Sequence, residues 1–499
     1  MRADAGRAVV ALDLSTTAAK AIAFDGDGGV VGDARSPLET VSPRPGWQEQ
    51  DAESWWTAAC ASLRALTDTL EPDRLVAITI THQRETFVCL DESGRPLRPA
   101  ILWLDNRATA QVKALGSDEV HRICGRQPAT TTSIYKLAWL AEHEPESMAR
   151  TAMVADVHAF LVNRLTDGWV TSWASADPLG VVDLRSFDYS AQLLGLAGVE
   201  RGQLPALAPP STIIGAVTPG AAEQTGLPAG LPVVAGAGDG QCAVLGTAAV
   251  GPGDVSLNLG TSVTLGTYSD HFRIGQAFRT VAHALPGRWM PEAALASGTH
   301  SVEWFRAQVM RDTSSSALEW VEAEARRIPA GAEGLLFLPY LVRAETPYWD
   351  PAARGAWVGL RDHHGLGHLY RALLEGIALE QALVLSMIEE ETGASATSVR
   401  VMGGGARSQL WMEIIANVFE VPVHRSDLHD ATALGAAILA AAALGLGDQT
   451  DVAATARRMS RGWREVASVP ETREQYRRSA RAYRLLYPAL AEVFHTIGS

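Results

Sequence analysis

Apolar and polar residues alternate in blocks along the start of the chain, and the blocks predict a mixed α/β unit. The runs AVVALDLS (residues 8–15) and AKAIAFD (residues 19–25) are rich in apolar residues, which is typical of buried strands. The turn DGDGG (residues 25–29) leads to a third strand. Helical periodicity over residues 53–70 and a strand over residues 75–81 follow. This order is the opening of a ribonuclease-H-like unit.

The second half of the chain shows a similar pattern of strands, small polar turns and helices. LPVVAGAGDG (residues 231–240) predicts a strand that enters a glycine turn, and residues 254–269 predict a strand, a small polar turn and a second strand. Residues 370–391 predict a long amphipathic helix, and SVRVMGGG (residues 398–405) a strand that ends in glycines. The turns DLSTT (residues 13–17) and NLGTS (residues 258–262) are counterparts, so we expect an α/β protein of two such units with a shared cleft.

The composition indicates which partners are not expected and which compartment is. The chain has 499 residues and a net charge of −14, which gives no reason to expect nucleic acid or an anionic membrane as a partner. The four cysteines show no CxxC spacing and are expected to be small core residues in a reducing compartment. Residues 1–15 lack a signal-peptide pattern, and the apolar residues 434–447 are too few to span a bilayer. We expect a cytoplasmic protein.

Two turns carry candidate phosphate chemistry. A strand that runs into Ser15, Thr16 and Thr17 places hydroxyl and backbone N–H groups at its carboxyl end, where they can bind phosphate oxygens. Asp13 ends the same strand and offers an oxygen ligand to a phosphate-bound divalent metal. A single such turn is equally well explained as a hairpin that bonds its own backbone. The second turn, NLGTS, favours phosphate binding.

Three further features each have a functional and a purely structural interpretation. Asp239 lies between glycines at a strand end, which suits a general base and equally suits the N-cap of a helix over residues 241–249. The glycines at 403–405 let the backbone approach a flat ligand, although such turns are common. His363 and His364 lie in a polar DHHG turn, for which a solvated loop is favoured over a metal site.

Taken together, the motifs resemble those of the FGGY family of carbohydrate kinases along nearly the whole chain. DLSTT and NLGTS resemble the two phosphate motifs of that family, and GGGARSQLW (residues 403–411) resembles its adenosine motif. KLAWLAEH (residues 136–143) and residues 355–375 resemble its two signature regions. The number of motifs and their order make a chance resemblance very improbable.

The resemblance implies two actin-like domains that close on ATP, Mg²⁺ and a small sugar or polyol. Residues 1–244 would bind the sugar and hold the first phosphate motif, and residues 245–499 would bind the nucleotide. Asp239 would be the catalytic base and would also bind the substrate, and Asp13 would be the metal ligand. The implied nucleotide-binding residues are Ser15, Thr16, Thr17, Lys20, Gly260, Thr261, Gly404, Gly405, Ser408 and Gln409. A homodimer is compatible with the sequence.

The substrate motifs are mixed. THQRET (residues 81–86) resembles the polyol-binding stretch of glycerol kinases, which implies Gln83, Arg84 and Glu85 as substrate ligands and Trp103 as an apolar wall; the alternative is an ion pair in a turn. Residues 283–289 and 298–305 resemble the xylulokinase branch instead. Thr132 stands where glycerol kinases carry tyrosine, which predicts a roomier site.

We therefore expect an ATP-dependent kinase for a terminal hydroxyl of a small ketose or polyol, with a xylulokinase-like preference for a ketopentose. The alternatives are a glycerol or tetritol/pentitol kinase and a catalytically silent homologue that binds sugar or nucleotide for regulation.

Overall fold

The computed structural model describes residues 6–426 and 430–498, so that residues 1–5 of the N-terminal stretch considered above lie outside the described residues. In the first half, the strands are β1 Ala8–Leu14, β2 Ala18–Asp25, β3 Val30–Pro37, β4 Glu49–Gln50, β5 Leu75–His82, β6 Phe87–Leu90, β7 Ala100–Ile101, β8 Met153–Asp156, β9 Val170–Ser172, β10 Val182–Asp183, β11 Asp188–Tyr189, β12 Ala206–Ala208, β13 Ile213–Ala216 and β14 Pro232–Gly238. The helices are α1 Ala52–Thr67, α2 Thr109–Leu115, α3 Asp118–Cys124, α4 Ser133–His143, α5 Pro145–Ala149, α6 Val157–Thr166, α7 Trp173–Ala176, α8 Ala191–Ala197, α9 Pro219–Thr225 and α10 Asp239–Gly246.

The second half continues with nine strands and seven helices in its described residues. The strands are β15 Asp254–Leu259, β16 Val263–Thr267, β17 Arg279–Ala282, β18 Trp289–Leu295, β19 Leu336–Leu338, β20 Ala356–Val358, β21 Ser398–Met402, β22 Val423–Ser426 and β23 Trp463–Glu465. The helices are α11 Thr299–Trp304, α12 Ser315–Arg327, α13 Leu366–Thr392, α14 Gln409–Phe419, α15 Ala431–Ala443, α16 Val452–Met459 and α17 Arg473–Gly498.

Two large sheets share one topology. The first has the order β13-β14-β5-β1-β2-β3 and the second β17-β18-β16-β15-β21-β22-β23. In each sheet an antiparallel pair, β1–β2 or β15–β16, is followed by two strands parallel to its first member. Every residue of β1 is buried, which explains its continuous apolar run. The expected α/β fold of two actin-like domains is confirmed.

One helix of the second half packs on the sheet of the first half. Helix α15, from the second half, packs on β1, β5 and β14 of the first sheet and crosses α10. At the crossing the backbones touch, because a Cβ on Gly435 would lie 1.8 Å from the carbonyl oxygen of Cys242, and one on Gly246 would lie 1.8 Å from that of Ala431. The apolar run that begins at residue 434, which is too short to span a bilayer, therefore lies largely in the helix between the domains.

Burial agrees with the remaining expectations that the fold tests. Cys89, Cys124 and Cys242 are buried free thiols, and Cys60 is half-buried. Among the helices of the described ranges, none combines the length and the apolarity needed to cross a membrane.

Candidate active site

Three adjacent parallel strands end at the same edge of the first sheet. The register pairs Leu14 of β1 with His82 of β5, and His82 with Gly238 of β14. The residues at or just beyond these strand ends, Asp13, Arg84 and Asp239, are therefore brought together although the sequence separates them widely. The carboxyl edge of parallel strands is where α/β proteins place their ligands.

A cavity of about 410 Å³ opens at this edge, and we call it the Asp239 cavity. Four of the five predicted substrate residues line it, namely Arg84, Glu85, Trp103 and Asp239. The opposite wall comes from the second domain and includes Asn258 and Arg279. The cavity is therefore built by both domains.

Gln83, the fifth predicted substrate residue, lies behind the cavity wall and is only 2% exposed. Its Nε2 donates to Gln50 Oε1 at 3.1 Å, and its Oε1 accepts the Thr16 hydroxyl at 3.0 Å. Thr16 Oγ1 in turn accepts the indole N–H of Trp103 at 3.1 Å. These bonds tie the first phosphate turn to the side chain that lines the Asp239 cavity.

Asp239 presents one free carboxylate oxygen to the cavity. Its Oδ1 accepts the N–H of Gly240 at 2.7 Å and lies 3.2 Å from Arg84 Nε, whereas Oδ2 has no partner among the described residues. The side chain is 46% exposed, and its desolvation by the cleft walls raises the pKa of Asp239 against the opposing effect of Arg84. Gly238 holds the N-cap position of α10, so the N-cap interpretation of Asp239 is wrong.

Arg84 and Glu85 belong to a buried chain of alternating charges, which we call the charge chain. Arg84 Nη1 lies 3.0 Å from Glu292 Oε1, and Glu292 Oε2 accepts Arg279 Nε at 2.6 Å. Arg279 Nη1 then reaches Glu85 Oε1 at 3.3 Å. Arg126 continues the chain, so that its members in order are Asp239, Arg84, Glu292, Arg279, Glu85, Arg126 and Asp177.

The alternative of a mutual ion pair in an exposed turn is therefore wrong. Arg84 and Glu85 are 8% and 6% exposed, and each pairs with partners elsewhere in the chain. Glu85 has a φ of 56°, a left-handed conformation that is uncommon outside glycine. Burial alone would raise the pKa of Glu85, but Arg279, Arg126 and Arg84 lower it overall.

The turn DLSTT, the first of the two candidate phosphate turns, joins the antiparallel strands β1 and β2. Ser15 donates its hydroxyl to Ala18 O at 3.0 Å, and Thr17 is exposed. Beside it, Lys20 Nζ bridges Asp13 Oδ2 at 3.2 Å and Asp430 Oδ2 at 3.0 Å. Asp430 is the N-cap of α15 and was not among the sequence-predicted site residues.

The carboxylate of Asp13 lies near two further carboxylates, those of Asp430 and Asp239. Burial raises its pKa to about 7, and Asp430 and Asp239 add to the increase while Lys20 opposes it. Its carboxylate is 5% exposed and forms an ion pair with Lys20. A hard divalent cation would relieve the repulsion among the three acids, so the donor set fits Mg²⁺, which takes few protein ligands beside phosphate oxygens and water.

The carboxyl edge of the second sheet forms another cavity, of about 600 Å³, which we call the Gly404 cavity. Asn258, Gly404, Arg407 and Asp430 are among its lining residues. An adjoining cavity of about 400 Å³ shares Gly404 and Arg407, and it is also lined by Gly405 and Ser408. The Gly-rich loop therefore contributes to the walls of both cavities.

The second phosphate turn packs against the start of α11. The carbonyl oxygens of Gly260 and Thr261 accept N–H groups of Thr299 and Gly298, each at 2.8 Å, and the Thr261 side chain is exposed. In the predicted adenosine motif, Gly404 lines the Gly404 cavity and Gly405 and Ser408 line the adjoining cavity, whereas Gln409 lines neither. It is exposed on α14 and donates to Glu413 at 2.9 Å.

Thr132 and the His363–His364 pair can also be placed. Thr132 is 3% exposed and its methyl group covers Gly180, while its neighbour Thr131 lines the Asp239 cavity, so Thr132 gives the cavity no extra room. His363 lies with Glu333 and His364 in a group that could hold a metal ion, and its Nε2 is 2.9 Å from Glu333. His364 Nδ1, however, accepts the N–H of Arg361, which leaves that ring nitrogen occupied.

Sequence reasoning missed Glu292, Arg279, Arg126 and Asp177. Each is an ordinary charged residue whose neighbours in the sequence form no recognisable motif, and only the fold brings the four together. The alternation of charges was therefore invisible in the sequence.

Family models match both halves of the chain. The N-terminal domain of the FGGY family of carbohydrate kinases matches residues 8–246, and its C-terminal domain matches residues 255–444. The chain belongs to the FGGY family of carbohydrate kinases. The family membership and its kinase-named relatives establish it as an ATP-dependent carbohydrate kinase.

Relatives within the FGGY family differ in the substrates they are named for. The chain is 32% identical over 436 residues to a xylulose kinase of Escherichia coli (strain K12), which covers 86% of this chain and 89% of the relative. It is 33% identical over 470 residues to a glycerol kinase of Bordetella parapertussis, and the alignment covers 89% of this chain and 90% of the relative. The crystal structure of xylulose kinase from Rhodospirillum rubrum superposes with a TM-score of 0.92 at 32% identity, covering 98% and 100%.

Proposed function

We propose that this FGGY kinase phosphorylates a terminal hydroxyl of an uncharged ketopentose, with xylulose as the model substrate. The observation that carries the proposal is that Asn258 and Thr432 line both the Asp239 cavity and the Gly404 cavity. The two cavities therefore lie side by side, and a phosphoryl group bound in one would lie next to a hydroxyl group bound in the other. Such alignment is the main task of a phosphotransferase.

Asp239 is the proposed catalytic base. Its free Oδ2 would accept the proton of the substrate hydroxyl while the hydroxyl oxygen forms a bond to the γ-phosphorus of ATP. The bond between that phosphorus and the β–γ bridging oxygen breaks, and ADP leaves with those electrons. The raised pKa of Asp239 makes it a better proton acceptor than an ordinary aspartate.

The phosphates would lie between the two hairpin turns. Ser15, Thr16, Thr17 and Lys20 would face them from the first domain, and Gly260 and Thr261 from the second. Asp13 would hold Mg²⁺, which neutralises phosphate charge when bound. Gly404, Gly405 and Ser408 would contact the adenosine; Gln409 would need to turn away from Glu413 to join them.

Charge balance in the Asp239 cavity supports an uncharged substrate. Its lining has three arginines, Arg84, Arg279 and Arg343, and three acids, Glu85, Asp239 and Glu345. Each arginine already pairs with a carboxylate; Arg343, for example, lies 2.7 Å from Glu345. A sugar acid would bring a carboxylate without an unpaired cation to receive it, whereas hydroxyl groups can bond to both signs of charge.

The second candidate is a glycerol or tetritol/pentitol kinase, and the side chains of Arg84 and Glu85 favour it. A ketopentose is preferred because a cavity of about 410 Å³ exceeds what a three-carbon polyol fills. The extensive similarity to xylulose kinases of known structure also supports it.

The Asp239→Asn variant tests the proposed chemistry. We expect turnover to fall by at least about 10²-fold, because the amide cannot accept the hydroxyl proton, while D-xylulose binding measured by calorimetry is retained. Asp362→Asn, at a fully exposed position that lines none of the three cavities described above, is the matched control and should keep its turnover. Turnover in Asp239→Asn close to that of the unmodified enzyme would reject the base role. Sugar binding without turnover in the unmodified enzyme would instead support a regulatory homologue.

A further inference from the structure

The charge chain crosses from one domain to the other, and Arg279 and Glu292 are its members on the second domain. The two residues are direct cross-strand partners of the antiparallel pair β17–β18. Side chains at such positions point to the same face of a sheet, which here is the face toward the first domain. The register of the edge strand β17 with its neighbour β18 thus presents a positive and a negative group side by side.

Glu292 divides its two oxygens between the domains. Oε1 lies 3.0 Å from Arg84 Nη1 of the first domain, and Oε2 lies 2.6 Å from Arg279 of its own domain. The residue is 1% exposed, and although burial opposes ionisation, Arg279 and Arg84 lower the pKa of Glu292 to about 2. Glu292 is therefore a permanent anion that holds Arg84 in one orientation.

These pairs leave one polar atom of each substrate-facing residue free. Arg84 uses Nε and Nη1 in its bonds, and its Nη2 has no partner among the described residues. Glu85 Oε1 accepts both Arg126 and Arg279, and Oε2 likewise has no described partner. A fixed donor and a fixed acceptor then remain at the cavity wall, which suits two neighbouring hydroxyl groups.

Strand β17 is also docked by backbone hydrogen bonds. The N–H of Thr280 donates to Gly125 O at 2.8 Å, and the N–H of Ala282 donates to Asp177 Oδ2. Gly125 has a φ of 72°, and a Cβ there would lie 2.5 Å from Thr280 O. The close approach fixes the strand, and with it Arg279, against the first domain.

We propose that Glu292 and Arg279 are positioning residues that align Arg84 and Glu85, so that the sugar site is complete only when the β17–β18 strands are docked on the first domain. The inference rests on the proposed function, in which Arg84 and Glu85 bind the sugar. It adds that sugar affinity depends on Glu292, a buried residue of the second domain that does not line the Asp239 cavity.

Steady-state kinetics of Glu292→Gln in the full chain test this assignment. The amide keeps the shape of the side chain but removes the charge that the two arginines share. We expect the KM for D-xylulose to rise at least about tenfold and the KM for ATP to stay within about twofold. Glu375→Gln is the matched control, because Glu375 is equally buried in the second domain and pairs with Arg371 at 2.8 Å away from the cleft.

A sugar KM that rises in Glu292→Gln and not in Glu375→Gln supports positioning. An equal change of the KM for D-xylulose in Glu292→Gln and Glu375→Gln would show that Glu292 has only a structural role, and it would overturn the proposal. If Glu292→Gln does not fold, Arg279→Lys, which keeps the positive charge, is measured instead. An unchanged KM for D-xylulose in folded Arg279→Lys would also overturn the proposal. If Asp239→Asn abolishes turnover while Glu292→Gln leaves sugar KM unchanged, the positioning role fails and the proposed function stands.

Discussion

Lys136 places an ammonium group inside the protein and uses all three of its donors there. Nζ donates to the carbonyl oxygens of Leu102 at 2.8 Å, Thr131 at 2.9 Å and Trp103 at 3.3 Å. Trp103 and Thr131 line the Asp239 cavity, so this residue joins two parts of its wall. Burial lowers the pKa of Lys136 to about 7, and Glu85 and Asp105 oppose the decrease.

Replacement of Lys136 by methionine should therefore cost stability and loosen the sugar site. Three buried carbonyl groups would lose their donor, and we expect the free energy of unfolding to fall by at least about 3 kcal/mol. Denaturant titration checks this value. Lys113→Met, at an exposed position, is the control and should change it by less than about 0.5 kcal/mol. A stability unchanged in Lys136→Met would show that water replaces the ammonium group.

Glu380 supplies a pH dependence of stability at a single residue. It is fully buried in α13, where it accepts the hydroxyl groups of Tyr340 at 2.8 Å and Tyr483 at 2.9 Å. Burial raises its pKa from an ordinary 4.5 to about 7, although the two hydroxyl groups oppose this. The folded state therefore binds this proton more tightly than the unfolded state does, and the resulting stability is lost as the pH rises from about 4.5 to about 7.

The Glu380→Gln variant should not show this loss of stability with rising pH. We expect it to be more stable than the unmodified protein at pH 8, by up to about 3 kcal/mol, with a smaller difference at about pH 5. Thermal unfolding at the two pH values measures the effect. Glu390→Gln, an exposed position on the same helix, should show no such pH-dependent gain. A stability gain that is larger at low pH than at high pH would contradict a raised pKa for Glu380.

At the scale of elements, the crossing of α10 and α15 is the contact most sensitive to side-chain size. Alanine is normally preferred to glycine inside a helix, yet Gly435 lies against the backbone of Cys242. We expect Gly435→Ala to destabilise the protein by about 1–3 kcal/mol, because the helices must move apart. Gly195, inside α8 with open space around it, is the control, and Gly195→Ala should be neutral or stabilising. Stabilisation in both variants would show that the crossing tolerates a methyl group.

The elements themselves were largely predictable from the sequence. Buried strands such as β1 have continuous apolar runs, and the predicted helices over residues 53–70 and 370–391 correspond to α1 and α13. These patterns are local, so they can be read without the fold. The packing of α15 on the sheet of the first half was not predicted, because the periodicity of a fully buried helix does not say which sheet it covers.

The candidate site was predictable only where a residue type carries its own signal. Asp13 and Asp239 lie at the ends of strands, and Gly404 lies in a run of three glycines. Asp430 and Glu292 lack such signals, since their roles depend on a helix and a strand contributed by the opposite half of the chain. The left-handed backbone at Glu85 was likewise hidden, because nothing in QRE marks it.

At the scale of the whole molecule, the contacts between the domains include the crossing of α10 and α15 and the charge chain that reaches β17 and β18. The Asp239 cavity is consequently lined by residues of both domains, while α15 ties the second half to the first sheet.

The initial rate of ADP release with Mg-ATP across a set of acceptors tests the central claim most directly. The set comprises D-xylulose, D-ribulose, xylitol, ribitol, erythritol, glycerol and D-gluconate, each compared with a reaction without acceptor. We predict that kcat/KM for a ketopentose exceeds that for glycerol and for D-gluconate by at least about tenfold. A preference for D-gluconate, or rates no higher than without acceptor, would contradict a kinase for uncharged ketopentoses.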